Sequence, residues 1–324
     1  MRDWRSFSVL IAGCGSIGKR HARVLRELGV QDLRACDPMP AQRESLAAQS
    51  PGTRLYETFE EGLADQPDIA LIGTPPKMHV PMCIQALQNG CHVLCEKPLA
   101  DTLAGVEELE RVIAESGRKF MIAVCFRFHV GHRRAKAILE SGRLGRLVSI
   151  RALMGEHLPD VRPDYRGLYT AKYCGAFDLT HEVDLAVWYA NLPVRRVASF
   201  SGTYSDIGIE APDVAEILIE FAGPLLASVH LDFFQRPRRR MTELICTGGV
   251  ITIEFASWNR CTVSVFDAAE GAWTHDEFAT DRDDMFRSED REFLEAVAGD
   301  RGVSCDFGEA RKSLEVVVKA QAGE

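Results

Sequence analysis

Two short motifs in this 324-residue chain carry residue types that can do chemistry. The first is Gly13-Cys14-Gly15-Ser16-Ile17-Gly18, which follows the apolar run from Phe7 to Ala12. Its glycine spacing suits a backbone that accepts a pyrophosphate. Gly13 permits the tight turn, Gly15 lets the main chain approach the phosphates, and Gly18 lets helix and strand pack closely. Ser16 and Ile17 open the helix that follows, where unpaired N–H groups favour an anion. The second motif is Glu96-Lys97-Pro98, which ends the apolar stretch from His92 to Cys95. A lysine at the end of a buried strand can stabilise negative charge developing on a substrate oxygen.

The surrounding elements must place both motifs at one edge. Ile17, Ala22, Val24, Leu25 and Leu28 fall at helical intervals, and Gly29 ends that helix. A second strand, Leu33 to Cys36, ends in Asp37, about 20 residues past the glycines, as a dinucleotide fingerprint requires. A carboxylate there accepts the ribose hydroxyls and repels a 2′-phosphate, so NAD is the expected cofactor. NADP stays open, because Arg43 nearby either meets a 2′-phosphate or is a solvated helix residue. The strand Ile69 to Gly73 runs into Thr74-Pro75-Pro76, a loop at the C-terminal edge of the sheet and beside the nicotinamide end. His79 opens the next helix, where it either touches cofactor or substrate or serves the helix start. Glu96 and Lys97 join the same set of cofactor contacts. Pro98 restricts Lys97 to an extended conformation, and the bond between them can be cis. A helix from about Leu103 to Ser116 and a strand from Phe120 to Val124 complete the alternation. Regular strand–helix alternation predicts a doubly wound parallel sheet, a Rossmann dinucleotide-binding domain over residues 1–124.

Residues 125–324 read as a second, α/β domain for substrate binding and oligomerisation, with the C-terminal helix able to pack back on the first. A helix from Val130 to Ser141 leads to the strand Leu147 to Leu153. Gly155 to Gly175 is irregular, and a long irregular segment in a compact domain is usually functional or mobile. Within it Arg166, Tyr169 and Lys172 are candidates to hold a polar or anionic substrate. The helix predicted from Asp178 to Tyr189 carries His181, with Asp184 read as structural. From Val197 onward strands follow in sequence: Val197–Tyr204, Ala215–Phe221, Leu225–Phe234, Met241–Thr247, Val250–Phe255 and Cys261–Phe266. Short turns between them predict antiparallel pairing. Arg236 and Arg238 to Arg240 form a basic patch, read as a solvated edge. Helices Ser288–Ala298 and Gly308–Ala322 close the chain.

Composition narrows the classes. An apolar share of 46% with 26% charged residues is that of a folded soluble protein, and the net charge of −9 argues against nucleic acid or an anionic membrane as partner. No apolar run approaches the roughly 18 residues of a membrane span, and Val9 to Ala12 is too short for a signal sequence. The ten cysteines lack any CxxC pair, so no metal site is expected, and reduced thiols in a cytoplasmic protein fit them.

The GxGxxG motif together with Glu96-Lys97-Pro98 resembles the Gfo/Idh/MocA oxidoreductases, the glucose–fructose oxidoreductase and inositol dehydrogenase family. The likeness continues in Phe126-Arg127-Phe128-His129, in Ser141 to Arg146 and in Asp178-Leu179-Thr180-His181-Glu182-Val183-Asp184. The resemblance implies a Rossmann domain followed by an α/β domain with a large, mostly antiparallel open sheet, and a homodimer or homotetramer formed through that sheet. It implies hydride transfer between a nicotinamide and a hydroxyl or keto carbon of a sugar, polyol or nucleotide-sugar derivative. The residues it implies are Lys97, Asp178 and His181. His181 would take the hydroxyl proton, Asp178 would orient it, and Lys97 would hold the reacting oxygen. Asp178 and His181 stand three positions apart, where many members have four. Cys125 replaces a frequent asparagine, which bears on Arg127 as a substrate contact. The Asp-Leu-Thr-His-Glu version resembles a subgroup associated with bacterial surface sugars. A non-catalytic dinucleotide-binding regulator on the same scaffold is the alternative.

Overall fold

The computed structural model describes residues 3–169 and 175–323. The chain forms two compact units, the first from residues 1–125 with 283–314 and the second from 126–282 with 315–324. The chain thus returns to the first unit late, through most of one helix and half of another, instead of leaving it for good near residue 124.

The first unit alternates β1 (Ser8–Ala12), α1 (Ser16–Glu27), β2 (Asp32–Cys36), α2 (Pro40–Gln49), β3 (Arg54–Tyr56), α3 (Phe59–Ala64), β4 (Ile69–Ile72), α4 (His79–Gln88), β5 (His92–Glu96), α5 (Val106–Ser116) and β6 (Phe120–Ala123). All pairings are parallel in the order β3-β2-β1-β4-β5-β6. Strands such as Val9-Leu10-Ile11-Ala12 are buried throughout because helices cover both faces of such a sheet. The order reverses between β1 and β4, and in open α/β sheets ligands bind at that crevice, outside the C-terminal strand ends. The Lys97–Pro98 bond just past β5 is cis.

Three glycines bring backbone against backbone at this crevice. A Cβ on Gly18 would lie 1.9 Å from the Gly13 carbonyl oxygen, and one on Gly13 would lie 2.7 Å from that of Gly73. Gly13 also has φ +95°, which L side chains rarely adopt. Gly15 differs. It caps α1 in an extended conformation, φ −70° and ψ −167°, and a Cβ there would meet nothing within 4 Å.

The second unit contains α6 (Val130–Glu140), β7 (Leu147–His157), α7 (Leu158–Val161), α8 (Tyr165–Leu168), α9 (His181–Ala190), β8 (Val194–Gly202), β9 (Val214–Phe221), β10 (Leu226–Asp232), β11 (Phe234–Cys246), β12 (Gly249–Ser257), β13 (Arg260–Asp267) and β14 (Ala272–Ala279). Its strands form one sheet in the order β14-β13-β12-β11-β7-β10-β9-β8, antiparallel except between β7 and β10. On β9, Ala215, Ile217, Ile219 and Phe221 are buried while Glu216 and Leu218 are exposed, the alternation of a half-covered sheet. The helices α10 (Arg282–Gly299) and α11 (Phe307–Ala322) close the chain. Among the described residues no helix is long and apolar enough to cross a membrane.

Several boundaries differ from the sequence-based expectation. β7 runs on to His157, and two short helices occupy part of the segment read as irregular. The helix expected at Asp178 begins at His181, after a separate 3₁₀ turn over Gly175–Asp178. β14 was not expected at all. Its residues are mostly exposed and do not alternate, so it gains its structure from pairing with β13.

The glycine contacts separate two substitutions three residues apart. Gly18→Ala forces Cβ into a carbonyl and should cost about 3 kcal/mol in urea denaturation, whereas Gly15→Ala should stay within about 1 kcal/mol.

Candidate functional site

The crevice of the first unit is built from main-chain groups. α1 starts directly after the glycine turn, so its first N–H groups lack helical partners and face outward. Gly15 stands at this helix end with open space before its Cα, although nothing in the chain needs a glycine there. That is the cradle a pyrophosphate requires. Asp37, just past β2, is anchored on the same turn. Its Oδ2 accepts the Cys14 N–H at 2.9 Å and its Oδ1 accepts the Met39 N–H at 2.9 Å. Carboxylate oxygens have further lone pairs for ribose hydroxyls. Arg43 is not a freely solvated helix residue, because its guanidinium donates to the Asp37 carbonyl. These groups fit a dinucleotide.

The neighbouring loop is tied down by His79. The ring is buried, with Nδ1 2.7 Å from the Pro98 carbonyl oxygen and Nε2 2.8 Å from that of Thr74. Burial lowers its pKa, against the opposing pull of the two carbonyls. The Thr74 hydroxyl donates to the Met82 sulfur at 3.5 Å, and Pro75 precedes a 3₁₀ turn over Pro76–Met78. Glu96 also turns inward. One oxygen lies 2.9 Å from His21 Nε2, and the other accepts the Lys97 N–H at 3.1 Å. The side chains of His79 and Glu96, expected among the cofactor contacts, are therefore committed to the protein itself. Lys97 follows at the C-terminal end of β5, half-buried.

In the second unit, Asp178 ends its 3₁₀ turn and accepts a hydrogen bond from the Tyr169 hydroxyl at 3.1 Å. His181 is the first residue of α9 and half-buried, with its ring stacked on Phe126 at 4.1 Å between centroids. The guanidinium of Arg240 lies over the same phenyl ring at 4.3 Å and ion-pairs with Glu182 at 2.7 Å. Burial raises the pKa of Glu182, and the charge of Arg240 opposes that rise. A histidine stacked on a clamped aromatic ring has a fixed plane, which suits proton transfer along one direction.

The expected substrate contacts fare differently. Arg127 is buried and held bidentately by Asp184, with both N–O distances 2.8 Å, so its fork is occupied inside the protein. Tyr169 is buried against Phe233 and serves Asp178. Arg166 is exposed, with its guanidinium 5.5 Å from the Tyr165 ring centroid. Lys172 lies outside the described residues. The basic patch is not a solvated edge throughout. Arg236 pairs with Asp160, Arg238 pairs with Glu156 and covers Trp258, and Arg240 is buried.

Sequence reasoning missed His21, Phe126, Glu182 and Arg240. For His21 a signal existed. It lies on the buried stripe of α1 with Gly18, Ala22, Val24 and Leu25, a polar residue on an apolar helix face. For Arg240 the charge was visible, but its partner was not.

Comparison with known proteins agrees with this architecture. Residues 7–124 match the family described as "Oxidoreductase family, NAD-binding Rossmann fold", and residues 132–252 match the GFO/IDH/MocA C-terminal domain. An inositol 2-dehydrogenase of Corynebacterium glutamicum is 25% identical over 240 residues, 70% of this chain and 67% of that protein. Another, from Leifsonia xyli subsp. xyli, is 28% identical over 229 residues, 68% of this chain and 65% of that protein. The chain thus spans about two thirds of the length of these relatives. The WlbA dehydrogenase of Bordetella pertussis, solved with NADH and UDP-GlcNAcA, shares the fold with a TM-score of 0.83 at 21% identity, covering 98% of this chain and 96% of that one. With both domains matched in chain order over this parallel sheet and glycine cradle, the chain belongs to the GFO/IDH/MocA oxidoreductases.

Proposed function

We propose that this protein is an NAD-dependent dehydrogenase that moves a hydride between nicotinamide and a CH–OH carbon of a sugar, polyol or nucleotide sugar. The observation that carries this reading is Gly15, a residue whose lack of side chain serves no contact within the chain and leaves the helix end open. Asp37, fixed by two backbone amides, supports NAD over NADP through its charge. Arg43 is the group that opposes this preference, and its fastening to the Asp37 carbonyl restrains it. The named relatives, inositol 2-dehydrogenases, support a polyol or sugar as substrate.

Bound nicotinamide supplies the hydride chemistry, and the protein orients it and handles the proton. In this assignment Lys97 donates a hydrogen bond to the reacting oxygen and stabilises its charge. His181 takes the hydroxyl proton as the general base. Asp178, itself held by the Tyr169 hydroxyl, serves to orient the imidazole. The exposed Phe200, Leu218 and Leu226 stand on one face of β8, β9 and β10, which supports a homodimer or homotetramer formed through this sheet.

Three measurements test the assignment. Gly15→Ala should weaken NAD binding at least about tenfold by fluorescence titration while stability changes by no more than about 1 kcal/mol, because the added methyl meets the ligand alone. Asp37→Asn should reduce the preference for NAD over NADP by about tenfold, the loss of one charge-assisted hydrogen bond. In a screen of polyols, amino sugars and nucleotide sugars, Lys97→Ala and His181→Ala should each lose at least about 10²-fold in turnover. Near-normal turnover in both variants would remove Lys97 and His181 from the chemistry.

A further inference from the structure

Four ionisable side chains of the first unit meet with almost no exposure to water: His21 of α1, Glu96 at the end of β5, and Glu289 and Asp290 of α10. His21 lies between two carboxylates. Its Nδ1 is 2.9 Å from Asp290 Oδ1 and 3.1 Å from Oδ2, and its Nε2 is 2.9 Å from Glu96 Oε1. Phe286 meets the imidazole edge-on at 5.5 Å. Beyond Glu96 the chain of bonds continues, since Oε2 accepts the Lys97 backbone N–H.

A neutral imidazole has one N–H and one lone pair. With a carboxylate at hydrogen-bond distance from each nitrogen, a neutral ring would set lone pair against lone pair on one side. While both carboxyl groups are ionised, both nitrogens donate and the ring is an imidazolium; burial raises the pKa of Asp290, and the charge and hydrogen bond of His21 oppose that rise. Burial alone would lower the pKa of His21, but the charge of Asp290 and the hydrogen bonds to Asp290 and Glu96 hold it well above the ordinary value. Glu289 completes the surroundings. Burial and the charge of Glu96 push its pKa well up, and neither oxygen has a hydrogen-bond partner among the described residues.

Such a cluster is a poor way to gain stability, because each buried ion costs several kcal/mol of hydration and apolar side chains would fill the space as well. What it gives is a fixed location for Lys97. We propose that His21 is a positioning residue: by bridging Asp290 to Glu96 it fixes the Lys97 main chain at the end of β5 and ties it to α1, the helix that opens at the glycine cradle. His21 lies five residues past Ser16, about 7.5 Å along the helix, so one rigid turn and a half links cradle and lysine. The proposal rests on the reading of Lys97 as the group at the reacting oxygen. His21, Glu289 and Asp290 also bring potential metal-ligand atoms within 4.8 Å of one another. A metal would have to displace one of the imidazole's carboxylates, so the proton is the cation this geometry fits.

The test uses the NAD-loaded full chain with His21→Gln and, should that variant not fold, Asp290→Asn, which keeps the side-chain shape. Labelling of Lys97 by acetic anhydride, measured by peptide mass spectrometry against exposed Lys77, should change by at least about threefold, and turnover with the substrate found by screening should fall tenfold to about 10²-fold with little change in KM. His21→Gln combined with Glu96→Gln should lose little more than His21→Gln alone, because both cut one link. Unchanged labelling and turnover in a folded variant with a lowered melting point would overturn the proposal and leave His21 a purely structural residue. A melting point raised by Zn²⁺ in the wild type but not in Asp290→Asn would overturn it in favour of a metal. Full turnover in Lys97→Ala would instead strike the reading of Lys97, while the labelling ratio still decides whether His21 positions it.

Discussion

The contact between α1 and the ends of β1 and β4 is the constraint on which the first unit depends. Gly13, Gly18 and Gly73 allow three backbone segments to meet with no side chain between them. Because α1 can approach that closely, its N-terminal amides stand at the point where the strand order reverses. Asp37 then reaches the glycine turn from β2, and its bond to the Cys14 N–H fixes both the turn and the carboxylate. One close packing contact thereby sets the helix end, the turn and the acidic group together. The buried stripe of the same helix carries His21 to Glu96, so the strand end at β5 is referenced to that helix as well.

The second unit positions its polar groups by pairing charges in the interior. Arg127 with Asp184 and Arg240 with Glu182 are almost wholly buried pairs. Taking such ions out of water costs several kcal/mol each, and removing one partner leaves the other uncompensated, a loss of about 3–5 kcal/mol. These pairs hold orientation more than they add stability. Arg240 is set by Glu182, Phe126 is covered by Arg240, and His181 stacks on Phe126. Each member restrains the next, and the imidazole at the end of the row inherits its plane from a glutamate beside it in sequence.

What was legible in the sequence follows from which physical signals are local. Glycine spacing, apolar strand runs and their alternation with helices act within a few residues, and they revealed the Rossmann half with its close glycine turn. The short turns between successive strands likewise announced an antiparallel sheet. β14 has no alternating pattern because an exposed edge strand has no buried face to record. The start of α9 was misplaced because Asp178 and His181 at a three-residue spacing suit one helix as well as a 3₁₀ turn followed by a helix. Charge pairs were illegible for another reason. Arg127 and Asp184 are 57 residues apart and His21 and Asp290 are 269 apart, and no periodicity connects an ion with its partner. A basic cluster such as Arg236 to Arg240 looks solvated until the acids that meet it are located.

The two units therefore reach precision by different means, and the difference predicts where substitutions are tolerated. At the glycine cradle the limiting quantity is volume, since a methyl at position 18 collides with a carbonyl while one at position 15 has room. Around His181 the limiting quantity is charge, since the packing would accept an isosteric neutral residue at Glu182 but Arg240 would lose its counter-ion. The His21 cluster combines both limits, because it is almost wholly enclosed and its members are ionisable. A residue able to replace His21 must fit its volume and reach a carboxyl group at each end.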